Sequence, residues 1–246
     1  MKYNLVIPMA GEGKRFVDAG YTTPKPFIPV GPVTMIAHAM QGLRPRTGDH
    51  LCLRTVWIIN AAHRPVAHEY AALFGAHLVT APGVTQGAAC TVLLAAQHFN
   101  NDLPLIIANC DQWLETGVIE DFLDQLDTSA CDGSMLVFPS DHPKWSYARL
   151  DPETMRVVEV AEKIPMSRFA TVGVYFFRRG KDFLDAATIM LQRNARSRGE
   201  FYVAPVFNEL VLDGMDVRVY QIRPDQMHGL GTPEDVAAFN QERGYV

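Results

Sequence analysis

The sequence lacks the marks of several classes of protein. Among its 246 residues, no stretch approaches the ~20 apolar residues that a membrane-spanning helix needs. A net charge of -5 argues against a broad nucleic-acid-binding surface, although it is compatible with a local basic pocket for a phosphate. The four cysteines are scattered without a C-x-x-C pair, which disfavours a disulfide framework or a zinc site. We therefore expect a cytoplasmic protein that binds neither nucleic acid nor membranes.

Internal repeats, low-complexity segments and flexible linkers are also missing from the sequence, which predicts one domain over residues 1–246. In the first half, apolar runs such as "TVWIIN" alternate with helical patterns such as "HRPVAHEYAALFGA". This alternation indicates a mostly parallel sheet with helices on both faces. After about Ser134, short strands dominate, and helical patterns return towards the end of the chain.

The predicted fold class is therefore α/β, a single-domain, Rossmann-like, mixed and mostly parallel sheet flanked by helices. Within this single domain we expect two halves, one over about residues 1–133 and one over about residues 134–246, separated where the pattern changes. The last helix is predicted in "PEDVAAFNQE", with Thr232 as its N-cap and Pro233 at its first position.

The first candidate site lies in the loop that follows the opening strand, "LVIPMAGEGKRF". Without side chains at Gly11 and Gly13, backbone N–H groups can approach an anion closely. Arg15 adds a planar fork suited to phosphate oxygens. Lys25 follows between two prolines, which restrict where its charge can point. The loop matches neither a Walker A motif nor a full G-x-G-x-x-G fingerprint, and a plain glycine-rich turn with solvated charges is the alternative.

These two segments carry a family resemblance. "PMAGEGKRF" followed by "TPKPFIPV" resembles the signature of sugar-nucleotide pyrophosphorylase-type nucleotidyltransferases, which have a GT-A-like fold. The resemblance implies that the loop wraps the phosphates of a nucleoside triphosphate, while Arg15 and Lys25 neutralise them as catalytic residues. The loop residues that would bind the nucleotide are Ala10, Gly11, Glu12, Gly13 and Lys14. Lys14 replaces a small hydroxyl residue common in the family, which adds positive charge.

Two further segments are candidates for the metal and the base. "LIIANCDQW" is a strand that ends in polar residues, and ligands gather at the carboxyl ends of parallel strands. The resemblance implies that Asp111 holds Mg²⁺, a cation that prefers oxygen ligands, and that Asn109 binds the nucleotide. It also implies that Gln86 and Gly87 contact the base. Helix capping is the alternative role for both Asp111 and Gln86.

The acceptor site is predicted from "VVEVAEKIP" and its neighbours. The resemblance implies that Glu162 binds a hydroxyl of the acceptor and that Lys163 binds its phosphate, as a third catalytic cation. Gly173 would permit close approach of the acceptor. Thr171 stands where many sugar enzymes have an asparagine. The remaining acceptor-side candidates are Tyr147, which either walls a pocket or packs a strand, and Glu200.

The main departure from the family pattern is that the expected second metal ligand is missing. Many relatives carry an aspartate two residues before the glycine of the late "GTPED" landmark, and here that position is Gly229. Either Asp225 takes its place, or only one metal has a firm protein ligand.

The reaction that the resemblance implies is Mg²⁺-dependent nucleotidyl transfer from a nucleoside triphosphate to a phosphorylated small molecule. The half over about residues 1–133 would then bind the nucleotide, and the half over about residues 134–246 would bind the acceptor. A sugar 1-phosphate is the first choice of acceptor. A cytidylyltransferase acting on phosphocholine or another small phosphate ester, a GT-A glycosyltransferase and a non-catalytic nucleotide-binding regulator are the alternatives. A homo-oligomer is compatible with all of them.

Overall fold

The computed structural model describes residues 1–245 as a layered α/β structure around a nine-stranded sheet. The strands are β1 (Lys2–Met9), β2 (Pro29–Val30), β3 (Val33–Thr34), β4 (Leu51–Asn60), β5 (Ala76–Ala81), β6 (Leu105–Ala108), β7 (Gln112–Leu114), β8 (Gly133–Pro139), β9 (Ser146–Leu150), β10 (Val157–Glu162), β11 (Phe169–Phe177), β12 (Val217–Gln221) and β13 (Met227–Gly229). The helices are α1 (Lys14–Asp18), α2 (Met35–Gly42), α3 (Arg64–Phe74), α4 (Ala88–Leu93), α5 (Val118–Thr128), α6 (Gly180–Gln192), α7 (Phe207–Leu212) and α8 (Pro233–Arg243).

The sheet is mixed, as its sequence pattern predicts. Its main path runs β10-β9-β11-β6-β1-β4-β5, with β8 paired to β11 and β12 paired to β8. The strands β1, β4, β5 and β6 pair in parallel, because crossover segments separate them in the sequence. The long strand β11 runs antiparallel to β6, β8 and β9. It joins strands from both predicted halves into one sheet.

Two apolar cores cover the two faces of this sheet. Along β1, Leu5 and Ile7 belong to one core while Val6 belongs to the other. The same alternation divides β4, where Trp57 and Val56 face opposite cores. Successive side chains of a strand point to opposite faces, so burial on both sides produces the uninterrupted apolar runs seen in the sequence.

The predicted helix ends are confirmed at several positions. The Thr232 hydroxyl accepts a hydrogen bond of 3.1 Å from the Asp235 N–H at the start of α8, and Pro233 occupies the first helical position. Gly75 ends α3 in the left-handed conformation at φ 61°. The helix predicted after Gly87 is shorter than its sequence pattern and ends at Leu93. Within residues 1–245, every helix is too short or too polar to cross a membrane.

A small two-stranded sheet that the sequence pattern does not predict positions the C-terminal segment. Strands β7 and β13 pair antiparallel, with Gly229 opposite Gln112. The Leu230 N–H then donates to the Asp111 carbonyl oxygen at 2.8 Å. This pairing brings the chain around Gly231 to the carboxyl end of β6.

Candidate active site

A cleft of about 630 Å³ opens where β1 and β6 end, at the carboxyl edge of the parallel strands. Most of the residues predicted from the sequence line it. These are Ala10, Gly11, Glu12, Gly13, Lys14, Arg15, Lys25, Gly87, Asn109, Asp111, Glu162, Lys163, Thr171, Gly173 and Glu200. We call residues 10–15 with Lys25 the loop wall, and Glu162, Lys163, Thr171, Gly173 and Glu200 the strand wall.

The two glycines of the loop wall serve different purposes. A Cβ on Gly11 would meet nothing within 4 Å, so the protein itself leaves that space open. Gly13 is left-handed at φ 64°, and a Cβ there would lie 2.8 Å from the Cβ of Lys25. Gly13 is therefore required by packing inside the protein. Gly11 is the one whose missing side chain leaves room for a ligand, beside the exposed Arg15.

Lys25 and Asp111 form the central ion pair of the cleft. Nζ of Lys25 lies 2.5 Å from Oδ2 of Asp111, and the two side chains are only 21% and 20% exposed. Burial alone would lower the pKa of Lys25, but the carboxylate charge and its hydrogen bond outweigh burial, and the pKa is raised. The lysine therefore carries a full charge. Burial raises the pKa of the neighbouring Cys110 thiol to about 12, which makes it unsuitable as a nucleophile.

Asp235 is a cleft residue that sequence analysis missed. It lines the cleft, and its Oδ1 accepts a 3.0 Å hydrogen bond from Nζ of Lys144. A Cβ on Gly231 would lie 3.1 Å from Oδ2 of Asp111 and 3.9 Å from Oδ2 of Asp235, so both carboxylates face the same glycine. The available signal was its place in the first turn of α8, as the last residue of the "GTPED" landmark.

Asp225, the predicted second metal ligand, lies outside the cleft lining. Its side chain is 69% exposed and pairs with Arg223, whose hydrogen bond lowers the pKa of the Asp225 carboxyl. At Gly229, where the sequence departs from the family pattern, an added Cβ would lie 3.3 Å from the Trp145 ring, a tight contact that a small shift of the ring would relieve. Trp145 lines the cleft where a larger residue at position 229 would stand.

The strand wall depends on an unusual backbone conformation. Lys163 follows β10 at φ 57°, a left-handed conformation that is costly for a residue with a side chain. Its Nζ lies 3.6 Å from Oε1 of Glu162 and 3.4 Å from the Tyr202 hydroxyl. Glu162 is buried and accepts a hydrogen bond from the Ser146 hydroxyl on the neighbouring strand. The turn therefore aims both charged side chains into the cleft.

Asn208 on α7 holds the edge strand β10. Its Oδ1 accepts from the Val160 N–H at 2.7 Å, and its Nδ2 donates to the Val160 carbonyl at 2.8 Å. The side-chain amide therefore satisfies both backbone groups that a further strand would otherwise bind. Because Val160 is two residues before Glu162, this contact fixes the strand that carries the acidic residue and its neighbour Lys163.

Gly173 is required by protein packing. It is left-handed at φ 85°, and a Cβ would lie 2.3 Å from Oε1 of Gln112 and 2.4 Å from Nδ2 of Asn109. The missing side chain therefore makes room for two side chains of the cleft floor. The nearby Thr171 hydroxyl is buried 3.3 Å from the Tyr175 hydroxyl.

Two more predicted residues are absent from the cleft lining. The Gln86 side chain accepts a hydrogen bond from Arg196, while its neighbour Gly87 lines the cleft. Tyr147 is fully buried, and its hydroxyl donates to the His142 carbonyl at 2.7 Å. Successive strand residues point to opposite faces, so Ser146 faces the cleft and Tyr147 packs in the core.

The part of the chain that the structure describes, residues 1–245, holds no group of three or more His, Cys, Asp or Glu side chains able to bind a metal ion by themselves. Asp111 and Asp235 are the carboxylates that line the cleft beside Gly231. A divalent cation here would need further oxygen ligands from a bound substrate.

Comparisons with known proteins bear on the fold and the family. Residues 5–169, more than half of the chain, match the family model described as the MobA-like NTP transferase domain. The sequence has no significant match among curated proteins.

Solved structures provide several similar folds. A nucleoside-diphosphate-sugar pyrophosphorylase from Vibrio cholerae RC9 is 26% identical with a TM-score of 0.79, covering 96% of this chain and 99% of that chain. The inositol-1-phosphate CTP transferase from T. maritima is 16% identical with a TM-score of 0.73, covering 97% of this chain and 96% of that chain. The second likeness shows the fold alone, and together they confirm the predicted fold class.

Proposed function

The chain belongs to the MobA-like NTP transferase domain family, and on that premise we propose the reaction that its cleft supports. The enzyme transfers a nucleoside monophosphate unit from a nucleoside triphosphate to a phosphorylated small molecule, with a sugar 1-phosphate as the favoured acceptor. The products are pyrophosphate and a nucleoside diphosphate sugar. One observation carries the proposal: a single cleft combines the open glycine loop and the Lys25–Asp111 pair with the Glu162–Lys163 pair.

The loop wall is suited to the triphosphate. The open space at Gly11 allows a phosphate to approach the backbone N–H groups of the loop. Arg15 and Lys25 supply two positive charges next to this space. Bringing polyanions together is the main obstacle in such a transfer, so fixed positive charge and positioning are the expected sources of catalysis.

The residues present fit a Mg²⁺ ion. Asp111 would hold it, since its carboxylate already binds a cation, the Lys25 ammonium, at 2.5 Å. The space that a Cβ would fill at Gly231 lies next to this carboxylate and that of Asp235, which makes Asp235 the second carboxylate within reach. When bound, Mg²⁺ would neutralise charge on the phosphate oxygens.

The strand wall is suited to the acceptor. Lys163 would bind the acceptor phosphate, and Glu162 would accept a hydrogen bond from an acceptor hydroxyl. A phosphate monoester is ionised at neutral pH, because its second pKa is about 6, so the nucleophile needs no strong general base. An acceptor phosphate oxygen forms a bond to the α-phosphorus, while the bond from that phosphorus to the bridging oxygen breaks and pyrophosphate leaves.

A second acceptor class is supported by Trp145. This ring lines the cleft, and Nζ of Lys144 lies 4.8 Å from its centroid, which shows that the ring accepts a cation. Phosphocholine or another phosphate ester with a cationic group could replace the ammonium there.

A cytoplasmic location is also proposed, supported by the four cysteines, which are free thiols.

The test is a matrix of substrates. The protein is incubated with Mg²⁺, each nucleoside triphosphate in turn, and a panel containing sugar 1-phosphates, phosphocholine and other phosphate esters, and pyrophosphate release is followed. We expect release with a sugar 1-phosphate and one preferred triphosphate. Release with phosphocholine alone would select the second acceptor class. Binding of nucleotide without turnover across the panel would overturn the proposed reaction.

A matched pair of variants links activity to the cleft. Lys25→Ala removes a cation from the loop wall, whereas Lys181→Ala removes a lysine that pairs with Asp102 at 2.5 Å elsewhere. The proposal requires loss of turnover in the first variant and retention in the second.

A further inference from the structure

Lys25 and Asp111 form an ion pair with each other in this structure. The proposed function, on which this inference rests, assigns Lys25 to the triphosphate and Asp111 to a divalent cation. At 2.5 Å, Nζ of Lys25 fills the position on Oδ2 of Asp111 where such a cation would bind. While it remains there, the carboxylate neutralises the charge of the ammonium and takes one of its three N–H donors, which weakens its attraction for a phosphate. The triphosphate therefore competes with Asp111 for Lys25, and the divalent cation competes with Lys25 for Asp111.

The base of the Lys25 side chain is fixed, and its end is not. The residue lies in a short turn of 3-10 helix between two prolines, and its Cβ packs against Gly13. The Phe27 N–H closes the turn on the Pro24 carbonyl at 2.8 Å. Movement of the ammonium is left to the remaining methylene groups of the flexible side chain.

The carboxylate side of the site is incomplete without a substrate. Asp235, the other carboxylate that faces Gly231, is itself held by Lys144 at 3.0 Å. Within residues 1–245 no third acidic, histidine or cysteine side chain completes a metal site. Both carboxylates beside Gly231 are therefore paired with a lysine in this structure.

We propose that Lys25 closes the Asp111 cation site until a polyphosphate draws the ammonium away, so that triphosphate and divalent cation bind with positive coupling through this ion pair. Each ligand then raises the affinity of the other by the same factor, as linkage requires. The coupling adds to the direct contact between metal and phosphate, because it acts through a protein side chain. The effect of the ion pair on the affinity of each ligand can therefore be measured with that ligand alone.

The first measurement uses Mn²⁺ alone. Free Mn²⁺ is followed by EPR in titrations of the wild type, Lys25→Met, Asp111→Asn and the double variant, without any phosphate. Freeing the carboxylate should tighten Mn²⁺ binding in Lys25→Met by about tenfold or more. The gain should vanish in the double variant, because it requires Asp111.

Two lysine variants serve as controls for this gain. Lys181→Met frees Asp102 from an ion pair of the same length outside the cleft lining. Lys14→Met removes a charge from the loop wall, where Lys14 pairs with Asp18 at 3.0 Å, and leaves the Asp111 pair intact. Both should bind Mn²⁺ close to the wild-type level.

The second measurement uses tripolyphosphate in EDTA, followed by calorimetry. Asp111→Asn should bind tripolyphosphate more tightly than the wild type, because Lys25 is released. The double variant should lose this gain, and Asp102→Asn should show none. Circular dichroism checks that each variant is folded, and Lys25→Gln replaces Lys25→Met if the latter is not.

The outcomes separate the two proposals. If the wild type binds Mn²⁺ as tightly as Lys25→Met, and Asp111→Asn abolishes that binding, the metal assignment stands and the closing role of Lys25 is wrong. If Asp111→Asn leaves Mn²⁺ binding unchanged in every background, with tripolyphosphate present or absent, the metal assignment of the proposed function fails as well.

Discussion

The two walls of the cleft are built in different ways. The loop wall is nearly continuous in the sequence, within residues 10–25, and follows a single strand. The strand wall collects Glu162, Thr171 and Gly173 from β10 and β11, which both pair with β9, and Glu200 from the segment between α6 and α7. A motif can specify the first kind of site, whereas the second depends on the whole sheet. Mutations should therefore separate binding from folding at the loop wall more cleanly than at the strand wall.

The largest effect is expected at Asp111, which joins the loop wall to β6. Asp111→Asn removes the charge that faces both Lys25 and the proposed metal. We expect turnover to fall by about 10²- to 10³-fold, the scale of losing one electrostatic group at a reacting centre. Pyrophosphate release at saturating substrates measures this, with circular dichroism as the check on folding. Turnover near the wild-type level in a folded variant would remove Asp111 from the mechanism.

Two glycines compare the walls directly. Gly173→Ala places a methyl group against Asn109 and Gln112 in a left-handed backbone, so the free energy of unfolding should fall by about 3 kcal/mol. Gly11→Ala meets nothing in the protein and should change that free energy by less than about 0.5 kcal/mol. It should instead raise the KM for the triphosphate. Denaturant unfolding and steady-state kinetics measure the two quantities, and equal stability losses would contradict the contrast.

Two cations test which wall binds which substrate. Arg15→Ala should raise the KM for the triphosphate, and Lys163→Ala should raise the KM for the acceptor, each by roughly 10- to 100-fold. This is the scale of one hydrogen bond to a charged group. The KM for the other substrate should change little in each case. If Lys163→Ala raised only the KM for the triphosphate, the assignment of the two substrates to the two walls would be reversed.

The smallest effect is expected at Asn208, which acts through β10 without lining the cleft. Asn208→Leu removes both hydrogen bonds to Val160 and should raise the acceptor KM several-fold, while the KM for the triphosphate stays constant. A conservative Asn208→Gln variant should restore part of the loss. An equal change in both KM values would point to general destabilisation instead of positioning.

Much of the fold could be predicted because its signals are local. Alternating apolar runs and helical patterns identify the parallel strands of the first half, and the end of α3 at Gly75 follows from its glycine. Tyr147 shows the limit of such reasoning. Its place in a strand was predictable, but which face it occupies depends on the register with β10, where Glu162 pairs with Ser146.

The candidate site divides in the same way. The glycine loop and Lys25, which sequence analysis proposes as a phosphate site, line one cleft together, since they lie close in the sequence. Spacing alone could not decide whether Asp225 takes the role of the aspartate that is missing at position 229. The β7–β13 pairing turns the chain so that Asp235 lines the cleft, while Asp225 stays paired with Arg223.

The sequence by itself determined the α/β class, the phosphate-suited loop and the carboxylate at the end of β6, because each depends on residues within one strand, helix or turn. Only the tertiary structure decided that Lys25 lies on Asp111, that Asp235 faces the same glycine and that Asn208 holds β10. The partners Lys25 and Asp111, Gly231 and Asp111, and Asn208 and Val160 are tens of positions apart, and a side chain's partner at such a distance is fixed by strand order and register.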